Sequence, residues 1–387
     1  MTMRKTVALL VLNPFTNDSR VLKEALSLKH AGYEPFIVAL HEQGLAEEDT
    51  VHGIPVRRIR LLSRGWPKLL PVQVFKYFEW LWRAFLLSRK ADIVHCNDLP
   101  TLPAGAAARM LSRKRTRVVY DAHEFEINDV ANEPRWKIRI KSIMERFWIR
   151  HADATMTVSE SIADEYVRMY GIPKPALVLN CPPLAPLPEA DILRSTLGIS
   201  QNSTIFLYQG GLAPGRGIEP IITAFKALPD NLRVVVFMGY GPMAGVIQQA
   251  ASEHPNIFYH PAVSPDVLPA YTASADVGLC LIENLCLSYY YCLPNKLFEY
   301  LMAGLPVLVS DLQELRRFVQ EHPVGQIVLQ SDSTAIREAV MAMDDAAIDS
   351  HTQAALEART QFHWQAQERV LLEVYAQVGL RHQDQAR

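Results

Sequence analysis

The strongest constraint in this chain is a rhythm that runs twice. Short apolar runs, "TVALLVL" (6–12), "PFIVAL" (35–40), "DIVHC" (92–96), "RVVYDA" (117–122) and "ATMTVS" (154–159), alternate with longer helical patterns. One such pattern, 19–31, closes at Gly32, the position where a helix usually leaves through a left-handed residue. The proline-rich stretch "NCPPLAPLPEAD" (180–191) then breaks the pattern and reads as a linker, because proline removes helical hydrogen bonds. The rhythm restarts with "TIFLYQG" (204–210), "LRVVVFMG" (232–239), "NIFYH" (256–260), "DVGLCLI" (276–282), "LPVLVS" (305–310) and "GQIVL" (325–329). Apolar runs that are continuous rather than alternating suit parallel strands covered on both faces, with the helices as right-handed crossovers. The expected fold class is therefore α/β, with two doubly wound, Rossmann-like parallel sheets. A cleft between them is expected at the carboxyl ends of strands, where such sheets bind ligands. The expected domains are 1–185 and 186–362, followed by a last amphipathic helix in 363–387.

With 387 residues the chain is too long for one ordinary core. Hydrophobic residues at 49% and charged residues at 21% are ordinary for a globular protein, and a net charge of −2 gives no reason to expect nucleic acid. Five cysteines, at 96, 181, 280, 286 and 292, form no C-x-x-C pair and no zinc spacing, so free thiols in a reducing cytosol are expected. The opening "MTMRKTVALLVLN" reads as a buried first strand rather than a signal peptide. Charges interrupt the longer apolar stretches, so no transmembrane helix is expected. Cytoplasmic location follows, with peripheral contact at the inner face of the plasma membrane left open.

Four stretches bear on chemistry. "YQGGLAPGRG" (208–217) sits between a strand and a helix. It is either a tight connection or a loop whose amides, with Arg216, suit a diphosphate. "MGYGPMAG" (238–245) is a loose dinucleotide pattern on the wrong strand for that role, and a close-approach loop is the better reading. In "YYYCLPNKLFEYLMAGLPVLVS" (289–310), Asn295 is expected to cap a helix through its side chain. Lys296 and Glu299 share a face with it and offer an ammonium for phosphate and a carboxylate for vicinal hydroxyls. The bland alternative is a surface ion pair contributing only about 0.3–0.5 kcal/mol. "VVYDAHEFE" (118–126) ends a strand with Asp121, His123 and Glu124, the two acids being candidates to orient the histidine.

Together these segments resemble the retaining family-4 glycosyltransferases of GT-B fold, over nearly the full length. The matches are "YQGGLAPGRG", "SADVGLCL" (274–281), "LPNKLFEYLMAGLPV" (293–307), "SDLQELRRFV" (310–319), "NDSRVLKEALSLKHAGYEPFIV" (17–38), "DIVHCND" (92–98), "DAHE" (121–124) and "TVSE" (157–160). The resemblance implies that the second domain binds a nucleoside-diphosphate sugar and that the last helix crosses back to the first domain. It implies a ribose contact at Glu299, diphosphate contacts at Arg216 and a sugar contact at His123. Gly210, Gly211, Gly239, Val263, Asn295, Lys296 and Leu297 complete the implied donor site. Asp18, Arg20, Asp98 and Glu124 are the implied acceptor side. Two positions depart from the family: Gly211 stands at a diphosphate cation and Tyr291 at a first glutamate. Lys296 and helix amides are expected to replace the missing cation. No D-x-D motif lies in the cleft segments, so no metal and no other cofactor is expected.

The function expected is transfer of a sugar to a saccharide or lipid-linked acceptor, in polysaccharide or glycoconjugate synthesis. A nucleotide-sugar epimerase and a non-catalytic binding protein with a degenerate site are the alternatives. The sequence indicates no oligomeric state. One further segment, "RWKIRIKSIMERFWIR" (135–150), places Trp136, Ile140, Ile143 and Phe147 on one stripe between basic residues. The ordinary expectation is a stripe packed on the sheet with a basic face in water; the alternative is a helix lying on an anionic membrane.

Overall fold

The computed structural model describes residues 4–112, 116–188, 191–229 and 231–384. Residues 189–190 of the expected linker, and positions 1–3 and 385–387 of the expected domain limits, lie outside the described residues. The chain forms two compact units. One comprises the chain up to Asn128, Glu133–Val178 and the chain from Glu368 onward; the other comprises Asp129–Asn132 and Leu179–Gln367.

The first unit contains β1 (Thr6–Leu10), β2 (Glu34–Leu40), β3 (Glu48–Val51), β4 (Ile54–Ile59), β5 (Ile93–Asn97), β6 (Arg117–Ala122), β7 (Ala154–Thr157) and β8 (Ala176–Leu177). They form one sheet in the order β3-β4-β2-β1-β5-β6-β7-β8. The expected parallel pairing holds except at one edge, where β3 and β4 are antiparallel. Their two-residue turn, His52-Gly53, has φ of 49° and 75°, the doubly left-handed geometry that matches strand twist in a tight hairpin. Every residue of β5 and β6 is buried, as expected of strands covered on both faces.

The second unit contains β9 (Thr204–Gly211), β10 (Arg233–Tyr240), β11 (Ile257–Pro261), β12 (Val277–Cys280), β13 (Val307–Ser310) and β14 (Gly325–Val328). Its order is β11-β10-β9-β12-β13-β14, with the pairs parallel. Strand order reverses between β9 and β12, so the loops leaving their carboxyl ends splay apart and leave a crevice there. The last helix, Trp364–Asp384, belongs to the first unit from Glu368 onward, and its Tyr375 hydroxyl meets His95 Nδ1 at 2.8 Å. All five cysteines are free, four of them buried.

Helix Arg135–Ile149 corrects the ordinary expectation for its segment. Its apolar stripe does not pack on the sheet: Trp136 is 58% exposed, and Ile140, Ile143 and Phe147 are exposed with it. The opposite face is buried instead, and it is anchored by a carboxylate. Glu145 is fully buried and accepts hydrogen bonds from Tyr120 (2.6 Å), Tyr166 (2.8 Å) and Tyr170 (2.6 Å). Burial raises its pKa although the three phenols oppose the shift. A carboxyl satisfied by three hydroxyls can be buried where an unpaired one cannot.

Candidate functional site

The sequence-derived residues fall into two clusters, one in each unit. In the second unit a cavity of about 250 Å³ is lined by Gly210, Gly211, Gly239, Val263 and Glu299, together with Gln209 and Tyr240. It opens at the carboxyl ends of β9 and β10. The glycines there are required by backbone proximity: a Cβ on Gly239 would lie 1.9 Å from the Gly210 carbonyl oxygen. At Gly210, φ is +117°, which only glycine adopts readily. The G-x-G-x-x-x-G stretch therefore brings two strand ends together.

Glu299 is placed by the residue after it. The Tyr300 ring lies over Gly278 of β12, where a Cβ would come within 2.3 Å of the ring. Its hydroxyl accepts from the Gln209 amide (3.0 Å) and donates to the Leu207 carbonyl (2.9 Å). That pins helix Asn295–Met302 to the sheet. Gln209, itself buried, donates its Nε2 to Glu299 Oε2 at 2.5 Å and accepts from Thr272 Oγ1 at 2.8 Å. One carboxylate oxygen is thus tied down by a glutamine whose own orientation is fixed.

Two cations lie at this end of the sheet, each against an aromatic ring. Lys296 Nζ is 3.7 Å from the centre of the Tyr208 ring, and the Arg216 guanidinium is 4.4 Å from that of Tyr289. Burial lowers the Lys296 pKa to about 8, and the like charge of Arg216 adds to the effect against the opposing pull of Cys280 and Glu299. Arg216 precedes Gly217, whose φ of +72° starts helix Ile218–Lys226 and whose amide donates to Glu283 Oε1 at 3.3 Å.

Two expectations for this helix start are corrected. Asn295 does not cap: Pro294 occupies the cap position in an extended conformation, no side chain closes the turn, and Asn295 is an exposed first helical residue. Leu297 is wholly in the core and its amide donates to the Pro294 carbonyl at 3.0 Å, so neither its side chain nor its amide is open to a ligand.

The first unit gathers Arg20, Asp98, Asp121 and His123. Arg20 is buried and grips Asp121 with two parallel bonds, Nε to Oδ2 at 2.9 Å and Nη2 to Oδ1 at 2.8 Å. It also donates to the Val178 carbonyl (2.7 Å) and pairs with buried Glu24 at 3.2 Å. Burial would raise the Asp121 carboxyl, but Arg20 and His123 hold it well below the usual range. Glu24 goes the other way, raised by burial and by the charge on Asp121. His123 meets Asp121 at 3.0 Å through Nε2 and Asp98 at 3.3 Å through Nδ1. Burial disfavours its charge, yet the two acids raise its pKa to about 9. Asp98, at φ +65° just past β5, also accepts from the His123 amide at 3.2 Å. The second acid on the ring is thus Asp98, whereas Glu124 is exposed. Asp18 caps helix Ser19–His30, accepting from the Val21 amide at 3.2 Å.

Sequence reasoning missed Gln209, Thr272 and the aromatic rings beneath the cations. Tyr208 and Gln209 stand within "YQGGLAPGRG" and Tyr289 within the tyrosine run before Pro294, but nothing in either stretch marks their roles.

Residues 19–182 match the glycosyl transferase 4-like domain, and residues 203–344 match the glycosyl transferases group 1 domain. EpsD of Bacillus subtilis, which is named as a glycosyltransferase, is 23% identical over 326 residues, 79% of each chain. Sucrose-phosphate synthase from Thermosynechococcus elongatus superposes with a TM-score of 0.81 at 17% identity, over 98% of this chain and all of that one. Anabaena HepE, solved in complex with UDP and glucose, gives 0.70 at 13% identity over 98% of this chain and all of that one. Two parallel-sheet units, each matched by its own domain family, make the chain a member of the GT-B glycosyltransferases.

Proposed function

We propose that the chain moves a sugar from a nucleoside-diphosphate sugar to a saccharide or lipid-linked acceptor with retention of configuration, in cell-surface polysaccharide or glycoconjugate synthesis. The observation that carries this reading is a glycine-walled cavity that presents Glu299, with the Lys296 side chain against its Gly210 wall and the like charge of Arg216 near enough to lower the Lys296 pKa. Neighbouring cations repel, and a diphosphate between them turns that repulsion into attraction. Glu299, with one oxygen held by Gln209, accepts from the two ribose hydroxyls. As the sugar leaves, negative charge grows on the diphosphate, and the two cations stabilise it.

In this scheme the positive charge comes from side chains and no metal is used. The acceptor oxygen attacks the face from which the diphosphate departs, and the diphosphate takes its proton, so no carboxylate nucleophile is required. His123, raised to about 9 and so an imidazolium at neutral pH, is assigned as a hydrogen-bond donor to the transferred sugar. The proposed setting is the cytoplasmic face of a membrane, which helix Arg135–Ile149 contacts through its exposed stripe.

Incubation with a panel of donors, following release of free nucleoside diphosphate, tests the reaction, and excess chelator should leave the rate unchanged. Glu299→Ala should weaken nucleoside diphosphate binding by about 1.5–3 kcal/mol, the range for hydrogen bonds to a charged group, with the fold intact. Unchanged affinity would make this helix start a mere surface turn.

Lys296 gives the binding a pH signature. In the free protein its pKa is about 8, and a bound diphosphate favours the ammonium. Binding above pH 8 must therefore take up a proton. Affinity should be level below about 8 and fall by up to about tenfold per unit above it. Titration calorimetry at several pH values on wild type and Lys296→Met checks this, since the variant should lose the slope.

A further inference from the structure

We infer that the first unit docks on an anionic bilayer surface mainly through helix Leu70–Ser88 and the loop before it. The inference deepens the reading above and rests on it for a lipid-borne acceptor. One face of this helix is core, with Trp80, Ala84 and Ser88 buried. The other face is also apolar, yet open: Leu70 is 74%, Phe78 60% and Trp82 59% exposed, with Val74 and Phe75 beside them. Trp66 stacks on Phe75 at 5.3 Å between ring centres and extends the patch over the loop.

The patch is preorganised. Lys76 donates to the carbonyls of Arg64 (3.1 Å) and Trp66 (2.9 Å), and Glu79 accepts from the amides of Leu62 (2.7 Å) and Ser63 (3.1 Å). The loop is thereby stapled to the helix, and its aromatic side chains need not be ordered on contact. Large open aromatic faces of this kind mark interaction surfaces.

Charge selects the occupant. Residues 60–90 carry seven lysines and arginines against one acid, Glu79, while the whole chain is at −2. That acid is largely covered, its side chain 12% exposed and bonded to the loop and to Arg83. In a symmetric dimer the same patch would face itself, cation against cation. Anionic headgroups complement it, with the aromatic residues entering the interface and the basic ones reaching phosphates. Helix Leu102–Leu111 packs against both Leu70–Ser88 and Arg135–Ile149, and consecutive right-handed crossovers in one direction put all three on one sheet face. The second outer helix repeats the pattern, with its exposed stripe among Arg135, Lys137, Arg139, Arg146 and Arg150. Both basic, open-faced helices thus lie on the same side of the sheet.

The test is co-sedimentation of the full chain with phosphatidylcholine vesicles, with and without phosphatidylglycerol, at low salt. Wild type should bind only the phosphatidylglycerol vesicles and be released as salt rises. Phe78→Ser/Trp82→Ser should weaken binding by about tenfold or more, with nucleoside diphosphate affinity unchanged. Leu70→Ser/Val74→Ser, a milder change on the same stripe, should weaken it in the same sense. Wild-type binding by both variants would overturn the inference while leaving the transferase reading untouched. Vesicle-free dimerisation of wild type, abolished by Phe78→Ser/Trp82→Ser, would overturn it in favour of a contact between copies.

Discussion

Arg216→Ala is expected to lower turnover by about 10²–10³-fold while changing nucleoside diphosphate affinity much less, because charge grows on the diphosphate only as the sugar departs. The guanidinium lies over the Tyr289 ring beside the start of helix Ile218–Lys226. It is held there by a cation–π contact, and this leaves its planar donors for an anion. Arg216→Lys keeps the charge but not the fork of donors, so it should recover only part of the rate. The partly exposed position means that neither change should unfold the chain. Steady-state kinetics on the three proteins, with a thermal melt for each, decides the matter. Equal loss of affinity and turnover would mean that Arg216 only anchors the ground state.

Much of this architecture was legible because its strands are covered on both faces. Runs such as "RVVYDA" match β6 residue for residue, and continuous apolar character has no other stable home in a chain of this composition. The edge hairpin was not legible. Its β3 is Glu48-Asp49-Thr50-Val51, largely exposed, and is held by the turn at His52-Gly53 and by the Arg58–Asp49 ion pair at 2.9 Å. Those are local geometry and one charge contact, neither of which leaves an apolar pattern.

The candidate site divides along the same line. Lys296 and Glu299 could be placed on one helical face by spacing alone. Gln209 and Thr272 could not, since Gln209 reaches Glu299 from a strand and Thr272 holds Gln209 from a different helix, and only the fold brings the three together. Asparagine's preference for the cap position is overridden by the proline before it, which already has the extended backbone a cap needs. The exposed stripe of helix Arg135–Ile149 was assigned to the core for a related reason. A glutamate is the last residue one would seat against a sheet, until three tyrosine hydroxyls are found around it.

Asp121→Ala should destabilise the first unit by about 3–5 kcal/mol, the usual loss when one partner of a buried ion pair is removed. The variant leaves the Arg20 guanidinium, 4% exposed, without its two-bonded carboxylate. Glu24 moderates the loss: the charge on Asp121 is part of what keeps its carboxyl raised, so once Asp121 is gone Glu24 ionises more readily beside Arg20. Glu24→Gln/Asp121→Ala should therefore be less stable than the two single losses predict. The pH dependence has a definite sign. His123 is raised to about 9, so the stabilisation from its pairing with Asp98 and Asp121 is complete below its ordinary value of about 6.5 and is lost as pH rises through about 9. The gap between wild type and Asp121→Ala should narrow over that interval. Urea unfolding of both proteins at pH 6 and pH 9 measures it. A gap below about 1 kcal/mol at pH 6, within the range of an exposed ion pair, would mean that Arg20 and Asp121 do not hold the strand ends around His123.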